Sequence, residues 1–199
     1  MKHAVLLACL LGLAGTASGE PPSRIVSTSP GITEVLFALG LGNRIVGVST
    51  YCRYPEAAQS LPKVGTFLRP NTELIARLRP DLAVVGRGGS DVPRQLAAVG
   101  VRSLTVQHAQ TLDDVYSMIR ALGRAAGVDA RAEALVGEIT GRLDRVRADA
   151  RARAPRKVLI IVGRSPGSLT DLVAVGRGSF LDELATLAGG LNVLSDPAL

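Results

Sequence analysis

Aromatic and basic side chains occupy several loops that follow predicted strands. Tyr51 and Phe67 offer flat apolar faces, and Arg87 and Arg164 offer guanidinium donors that suit carboxylate or phosphate groups. Open α/β sheets bind their ligands at the carboxyl ends of the strands. Such a site binds small molecules without transforming them, although the two aromatic rings could equally well cover the end of the sheet. The candidate ligand-binding residues are Ser29, Pro30, Tyr51, Phe67, Arg87, Gly88 and Arg164.

Catalytic motifs are absent from the sequence. It contains no HExxH, CxxC, GxSxG or Gly-Lys-Ser/Thr phosphate loop, and its glycine-rich stretch at 86–89 lacks the GxGxxG spacing of a dinucleotide site. Cys52 or Ser165 could serve as the nucleophile of an exported hydrolase on a flavodoxin-like sheet, but no general base is placed for either. Beyond His3 near the N-terminus, His108 is the single histidine. The sequence therefore predicts no catalytic residue, no metal site and no cofactor.

Strands and helices alternate ahead of residue 128, which predicts the sheet that positions these loops. The run at Leu82–Val85 is continuously apolar, as in a strand covered on both faces. The β-α-β order favours a parallel sheet with right-handed crossovers. The predicted strands are Arg24–Ser27, Arg44–Val48, Leu82–Val85 and Val101–Val106, and the helices between them begin after Ser29, Asn71, Asp91 and Thr111.

A long helix is predicted over Asp129–Ala154. Asp129 is placed to cap its first turn, and Pro155 stops it. A helix longer than its neighbours, between two α/β segments, suits a strut that joins two lobes, and it suits an ordinary crossover helix equally well. Its apolar residues recur at three- and four-residue spacing on one face, and they are Ala132, Leu135, Val136, Ile139, Leu143 and Val146.

The α/β pattern resumes after this helix. A strand is predicted over Lys157–Val162, a helix over Phe180–Leu187 and a short strand over Asn192–Leu194. Two or three strands and one helix make a small sheet by ordinary standards. We therefore expect the sequence to be a fragment or a truncated product.

The N-terminus has the pattern of a secretory signal peptide. Met1–Gly19 begins with a lysine, continues with an apolar run from Ala4 to Ala14 and ends in small residues, and it is too short to span a bilayer. Cys9 lies in a stretch similar to a lipoprotein acylation box. This stretch comes before a full apolar run, so lipid anchoring at Cys9 stays open. Cleavage would leave Cys52 without a disulfide partner. We expect a periplasmic protein.

The composition is that of a globular protein and not of a nucleic-acid binder. Hydrophobic residues make up 47% of the chain, which is enough to build a core. The net charge of +6 invites a nucleic-acid interpretation, but the basic residues are mostly arginines spread along helices beside acids. We expect a monomer with no nucleic-acid partner.

Glu73 lies in the first turn of the helix that Asn71 caps. A carboxylate there compensates the helix dipole, which stabilises a helix by about 0.3–1 kcal/mol. It could instead meet an arginine of a partner protein. The residue types alone favour the first interpretation.

Several short motifs follow one another in a fixed order. They are Arg24-Ile25-Val26-Ser27 with Ser29-Pro30 and Thr33-Glu34; Val46-Gly47-Val48-Ser49 with Tyr51 and Tyr54-Pro55; Pro62-Lys63-Val64-Gly65; Asn71-Thr72-Glu73-Leu74-Ile75 with Leu78-Arg79-Pro80-Asp81-Leu82; and Gly176-Arg177-Gly178-Ser179-Phe180 with Glu183-Leu184, Ala188-Gly189-Gly190 and Asn192-Val193. Each motif alone is weakly specific. Together they cover nearly all of residues 24–194, and the set resembles the cobalamin and iron-chelate class of ABC-transporter solute-binding proteins, with the cobalamin binders as the nearest match.

The resemblance implies an α/β fold of two Rossmann-like lobes with parallel sheets, joined by one long helix, with the second lobe incomplete. The implied segments are a signal peptide at 1–19, an N-terminal lobe at 20–128, a linking helix at 129–155 and a partial C-terminal lobe at 156–199. It also implies that a metal chelate is held between the lobes and delivered to the membrane permease of an ABC importer.

Residue roles follow from the same resemblance. Tyr51 and Phe67 fall where the cobalamin binders place aromatics against the corrin, Arg87-Gly88 matches a loop at the cleft, and Glu73 matches an acid that docks onto the permease. Haem binders of the class place an iron-ligating tyrosine on the segment where this chain has Phe67. The resemblance thus favours cobalamin as the transported ligand, with haem or a ferric siderophore as the alternative. The second docking acid of the class lies beyond the length of this chain.

Overall fold

The first four strands form one parallel sheet. The computed structural model describes residues 20–87 and 91–194. Its first sheet has the order β2-β1-β3-β4, and all three strand pairings are parallel. The predicted parallel sheet is confirmed, with ends that differ from the expected ones by one or two residues. The strands are β1 (Ile25–Ser27), β2 (Ile45–Val48), β3 (Leu82–Gly86) and β4 (Ser103–Val106).

Four helices connect and flank these strands, and their caps explain where they start. Ser29 and Asn71 each accept a hydrogen bond from the backbone amide three residues ahead. Thr111 and Asp114 form a complete capping box. The helices are α1 (Pro30–Ala38), α2 (Thr72–Arg77), α3 (Val92–Ala98) and α4 (Leu112–Ala126), and short 3-10 turns lie at Gly42–Arg44 and Glu56–Ala58.

Apolar side chains on both faces of this sheet form two cores. Successive residues of a strand point to opposite faces, so Ile25 of β1 joins one core and Val26 joins the other. In β3, Val84 lies in the first core and Val85 in the second. The apolar run predicted for β3 is therefore buried on both sides, as expected.

The long helix α5 (Asp129–Arg151) packs with its first half against α4. A Cβ added to Gly123 of α4 would overlap the Cβ of Ala132, so the two helices approach closely there. Ala132 and Val136 are buried, whereas Val146 is 44% exposed. The prediction that Val146 lies on the packed apolar face of this helix is thus wrong. Since α5 has 23 residues and α4 has 15, the last turns of α5 extend beyond this partner.

The predicted start of the long helix is confirmed, but its predicted cap and its predicted end need correction. The helix begins at Asp129 itself, with Val128 at the N-cap position and no side-chain capping bond. The cause is the tight connection from α4, which ends at Gly127 in the left-handed conformation (φ +69°). The helix ends at Arg151, earlier than the predicted Ala154.

Short strands and one helix follow α5. The strand β5 pairs with β8 in parallel, and β6 pairs with β7 in antiparallel fashion. The single strand predicted over Lys157–Val162 is therefore split, because the chain changes its partner from β8 to β7 after Val158. The α/β fold class is confirmed. The elements are β5 (Arg156–Val158), β6 (Ile161–Gly163), β7 (Val173–Ala174), α6 (Phe180–Leu187) and β8 (Gly190–Asn192).

Candidate functional site

The carboxyl ends of the four parallel strands lie along one edge of the first sheet. From β1 the chain passes to β2 on one side, and β3 then pairs on the other side of β1. Such a reversal of strand order opens a crevice outside the strand ends, which is where α/β sheets bind ligands. The amide of Thr28 donates to the carbonyl of Val84 at 3.1 Å, so the loops after β1 and β3 start side by side at this crevice.

Ser29 and Pro30 stand at the β1 side of the crevice. The Ser29 hydroxyl accepts from the amide of Ile32 at 3.4 Å, and Pro30 is the first residue of α1. Both residues are half-buried. Their predicted position at the strand end is observed, while their contact with a ligand stays a prediction.

A buried polar cluster supports the ends of β1 and β2. The Thr33 hydroxyl lies 2.8 Å from the Ser27 hydroxyl and 3.1 Å from the Cys52 sulfur, and it also donates to the Ser29 carbonyl. The Ser49 hydroxyl lies 3.4 Å from the same sulfur. Because an unpaired buried polar group is costly, these contacts hold the loop after β2 against the first turn of α1.

Tyr51 is presented by that loop. Its neighbours are fixed, since the amide of Thr50 donates to the Gly65 carbonyl at 2.8 Å and the amide of Cys52 donates to the Ser49 carbonyl at 3.1 Å. The Tyr51 side chain itself is 60% exposed. An exposed ring on an anchored backbone is available to a ligand at little cost in conformational entropy.

Phe67 covers the end of β3. A Cβ added to Gly86 would overlap the Phe67 ring, so the ring rests directly on the backbone of the strand end. Its other neighbour is the ring of His108, with centroids 6.4 Å apart and planes tilted by 47°. Phe67 is half-buried, which leaves part of its face open at the same edge.

Arg87 follows β3 and is exposed. Its amide donates to the Val106 carbonyl at 2.9 Å, and its Nη1 donates to the Gln107 side-chain oxygen at 3.0 Å. These bonds fix the arginine against the end of β4, and its remaining guanidinium N–H groups have no partner in the described part of the chain. Gly88, the next predicted site residue, lies outside the described residues.

Arg164 and Glu73 lie on other elements. Arg164 is exposed directly after β6, and within residues 20–87 and 91–194 no hydrogen bond or ion pair joins it to the strand-end loops. Glu73 is exposed in the first turn of α2. The structure therefore brings Ser29, Tyr51, Phe67 and Arg87 to one edge and leaves Arg164 apart from them.

His108 lies at the same edge of the sheet and was not among the predicted site residues. It follows β4, is exposed and faces Phe67. The loop that carries it is anchored by Asp114, whose carboxylate accepts from the amides of Gln110 and Thr111 at 2.9 Å each. The hydrogen bond from the Gln110 amide, followed by those from Thr111, lowers the pKa of Asp114. The sequence signal for His108 is its position two residues after the end of a predicted strand.

The two proposed nucleophiles have no catalytic setting. Cys52 is 1% exposed beneath the loop, so a substrate cannot reach its sulfur. The Ser165 hydroxyl donates to the Asp171 carboxylate at 3.0 Å, without a histidine in contact among the described residues. The described part of the chain also holds no group of three or more His, Cys, Asp or Glu residues arranged to bind a metal ion.

A cavity of about 900 Å3 lies away from this edge, between α4, α5 and α6. It is lined by apolar and charged side chains together, among them Tyr116, Leu143, Arg147 and Glu183. The Glu183 carboxylate accepts from the amide of Leu112 at 2.7 Å, which ties α6 to the start of α4. This cavity holds none of the predicted ligand-binding residues.

Comparison with known proteins places this architecture in a family. A sequence model described as periplasmic binding protein matches residues 25–197. The chain belongs to that family. It is 31% identical over 184 residues to YvrC, an uncharacterized ABC transporter substrate-binding lipoprotein of Bacillus subtilis (strain 168), and 29% identical over 178 residues to the vitamin B12-binding protein of Vibrio cholerae (strain O395); the alignments cover 89% and 88% of this chain. The family consists of transport proteins that bind substrates and are not enzymes.

Solved structures agree with the fold. The periplasmic heme binding protein from Pseudomonas aeruginosa superposes with a TM-score of 0.76 at 32% identity and covers 88% of this chain. Structures of this kind belong to the two-lobe class of periplasmic binding proteins. The chain spans 57% of the Bacillus protein, 62% of the Vibrio protein and 64% of the Pseudomonas protein.

None of the helices in the described part of the chain is both long enough and apolar enough to cross a bilayer. The predicted signal peptide, Met1–Gly19, and its Cys9 lie outside the described residues.

Proposed function

We propose that this protein is the periplasmic solute-binding component of an ABC importer and that its transported ligand is cobalamin or a closely similar metal tetrapyrrole. The observation that carries the proposal is a set of aromatic and basic side chains along the crevice, the exposed Tyr51 and Arg87 and the half-buried Phe67. Flat rings suit the face of a macrocycle, and a guanidinium suits a phosphate or carboxylate group. These groups suit a carrier, which binds its ligand without transforming it.

Cobalamin is the first candidate because a relative aligned over most of the chain is named a vitamin B12-binding protein. Haem is the second candidate, and the similarity to the Pseudomonas heme binding protein favours it. Cobalamin and haem each combine a broad macrocycle with an anionic group, the phosphate of the nucleotide loop in cobalamin and the propionates in haem, so the same three side chains serve either. A ferric siderophore, the other alternative that the resemblance implies, lacks a flat macrocycle, so these side chains do not favour it.

The segments of the chain have different roles in export and in ligand binding. We assign residues 1–19 to a signal peptide, 20–128 to the first lobe, 129–155 to the linking helix and 156–199 to part of the second lobe. In this arrangement the ligand lies between the first-lobe crevice and the second-lobe loop that carries Arg164. Export to the periplasm would follow from the first segment, and N-terminal sequencing of the exported protein tests it: an intact Met1 would contradict cleavage.

Substitution of the two aromatic residues tests the ligand site. Tyr51→Ala and Phe67→Ala should each weaken cyanocobalamin or haemin binding by about tenfold, the loss expected for one stacked ring of about 1.4 kcal/mol. Titration calorimetry of the purified chain measures this. Tyr54→Ala is the matched control, because Tyr54 is a similarly exposed ring on the same loop (70%) that is not assigned to the site. Unchanged affinity in the Tyr51 and Phe67 variants would show that the crevice does not bind the ligand.

Glu73 is proposed to dock the first lobe onto the permease. Its carboxylate is exposed at the start of α2 and forms no ion pair within the described residues. Glu73→Ala should leave ligand affinity unchanged and reduce uptake in cells that supply the permease, whereas Glu138→Ala on the exposed side of α5 should affect neither. Normal uptake by the Glu73 variant would rule out this docking role.

A further inference from the structure

Arginines lie at the amino edge of the first sheet, opposite the crevice. Arg24, Arg44 and Arg102 directly precede β1, β2 and β4. Because the four strands are parallel, these residues belong to one side of the molecule. Asp81 precedes β3, but its carboxylate is already bonded to Ser23 and to the amide of Arg24. The strand starts alone thus make this edge basic.

The helices that return the chain to the amino edge add further arginines. Arg77 ends α2 and Arg79 follows it closely, and with Arg24 they line a cavity of about 490 Å3. Arg124 lies in the last turn of α4. The Arg131 guanidinium rests on the backbone just after α1, since a Cβ on the glycine there would overlap it. Seven arginines therefore gather at this edge.

The amino-edge arginines form no ion pair in the described part of the chain. Arg24, Arg44 and Arg102 donate to backbone carbonyls, which carry no net charge. The other four side chains have no hydrogen-bond partner within residues 20–87 and 91–194, and all seven are exposed apart from the half-buried Arg44. The acids described at this edge are Glu20, Asp81 and Asp129. The edge therefore carries an excess of positive charge.

Helix ends account for only part of this excess. A helix C-terminus carries about half an elementary negative charge, which basic side chains offset. Three arginines meet at the end of α2 alone, where Arg24 donates to the carbonyls of Leu78 and Arg79, and Arg77 lines the same cavity. Their charge exceeds what this helix end can offset, so most of it remains available to an anionic partner.

The spread of these charges indicates the kind of partner. Neighbouring strands lie about 4.8 Å apart, so the starts of four strands extend over about 14 Å, and helices on both faces of the sheet widen the array. One soluble anion needs donors that converge on it, whereas a broad array suits many phosphates in one plane. Residues 1–19, assigned above to a signal peptide, join the chain at this same edge. A phospholipid surface fits both observations.

We propose that the amino edge docks onto membranes rich in anionic phospholipid, through contacts between guanidinium groups and lipid phosphates. The crevice and Glu73 lie at the opposite edge, because α2 starts there and ends at the amino edge. A chain docked in this way keeps its ligand site open. The inference goes beyond the proposed function and does not depend on which ligand is carried.

Co-sedimentation of the full chain with lipid vesicles tests this docking surface. Wild-type protein should bind mixed phosphatidylglycerol–phosphatidylcholine vesicles more tightly than pure phosphatidylcholine vesicles. The difference should disappear in about 1 M salt, where the Debye length falls to about 3 Å. Residues 1–19 are the same in every variant, so comparison between variants isolates the amino edge. Equal binding of wild-type protein to the two kinds of vesicle overturns the proposal.

Arg77→Gln combined with Arg79→Gln should weaken binding to the anionic vesicles by about thirtyfold, because each arginine near such a surface contributes about 1 kcal/mol. Neither side chain has a partner in the described structure, so the fold should persist, as circular dichroism checks. The two lysine substitutions at the same positions keep the charge and should keep binding. The matched control is Arg142→Gln with Arg145→Gln, which removes the same charge from exposed positions of α5 and should change binding little.

Three results would overturn the docking surface. Equal weakening by the two glutamine pairs would mean that only the net charge of the protein matters. Release from the vesicles by inorganic phosphate at constant ionic strength would indicate a site for a free anion. Tighter binding to a DNA oligonucleotide than to the anionic vesicles would indicate a nucleic-acid partner. Titration of the same samples with cyanocobalamin and haemin tests the proposed function separately, so the failure of one proposal is distinguishable from the failure of the other.

Discussion

The Thr33 hydroxyl connects three segments that support the site. It contacts Ser27 at the end of β1, the Ser29 carbonyl at the start of α1 and Cys52 in the loop that presents Tyr51. The side chains of Ser27, Thr33 and Cys52 have almost no solvent exposure. Removal of the central hydroxyl would take one hydrogen-bonding partner from each of its neighbours in a dry environment, where a lost partner is costly.

Thr33→Val should therefore destabilise the protein by about 1–3 kcal/mol, although the two side chains have the same shape. Urea unfolding followed by circular dichroism measures the difference. Thr186→Val is the matched control, because Thr186 is exposed on α6 and should change stability little. Equal stability of the Thr33 variant and wild type would mean that the cluster does not support the fold.

Asp81 provides a pH-dependent contact at the amino end of the sheet. Its carboxylate accepts from the hydroxyl and the amide of Ser23 and from the amide of Arg24, at 2.7–2.9 Å. These hydrogen bonds, the one from the Ser23 hydroxyl first, lower the pKa of Asp81 below 3.8. A carboxylate with a lowered folded-state pKa stabilises the protein above its unfolded-state pKa, and that stabilisation disappears as the pH falls through the folded-state value.

Asp81→Asn should thus lower the urea midpoint at about pH 7 and have a much smaller effect at about pH 2.5. Ser23→Ala should show the same pH dependence, and the double variant should be little worse than either single one. A midpoint difference that stays constant between the two pH values would contradict the role of the ionised carboxylate.

At this scale, residue type and spacing predicted part of the site. Tyr51 and Arg87 follow predicted strands, and parallel strands necessarily end at one edge, so their placement could be inferred. Phe67 lies in an irregular segment, and its place at this edge depends on contacts with the end of β3 and with His108, which are distant in sequence. Arg164 was assigned from its residue type and from its loop after a predicted strand, and its element lies apart from the first sheet.

Two helical glycines show how closely the long helix is packed. A Cβ at Gly123 of α4 would overlap Ala132 of α5, whereas a Cβ at Gly137 of α5 would meet nothing within 4 Å. Both positions lie inside helices, where alanine is preferred to glycine by about 1 kcal/mol. Packing therefore decides whether alanine stabilises or destabilises the protein at each position.

Gly123→Ala should destabilise the protein by about 1–3 kcal/mol, because overlap outweighs helix propensity, and Gly137→Ala should stabilise it by about 0.5–1 kcal/mol. Thermal and urea unfolding of the two variants measure whether each substitution stabilises or destabilises the protein. Stabilisation by both substitutions would show that α4 and α5 do not pack in this register.

Helix caps and apolar runs predicted most elements, and tertiary contacts explain the exceptions. The helix start after Thr111 and the buried run of β3 were correctly inferred because both are local signals. The cap at Asp129 was wrong because the tight turn after Gly127 determines where α5 starts. The strand predicted over 157–162 is split because it pairs first with β8 and then with β7, and both of these strands are short. The length of a partner strand cannot be predicted from the residues of the strand itself.

For the whole molecule, the two buried cores lie on the faces of the first sheet. The later segment exposes many apolar side chains on and between its short strands, including Leu159, Ile161, Val162 and Val173. The fold class and family could be inferred because ordered motifs span nearly the entire chain. The chain spans 57% to 64% of the relatives it was compared with, and the expected division into lobes and linking helix stays a prediction.

Calorimetric titration of the purified wild-type chain with cyanocobalamin, haemin and a ferric siderophore is the decisive test of the proposed function. We expect saturable one-to-one binding of a tetrapyrrole, cobalamin first, and no binding of the siderophore, because the crevice offers flat rings and one fixed arginine. Circular dichroism of the same sample confirms that it is folded. Binding of the siderophore alone, or of none of the three by folded protein, would contradict the account.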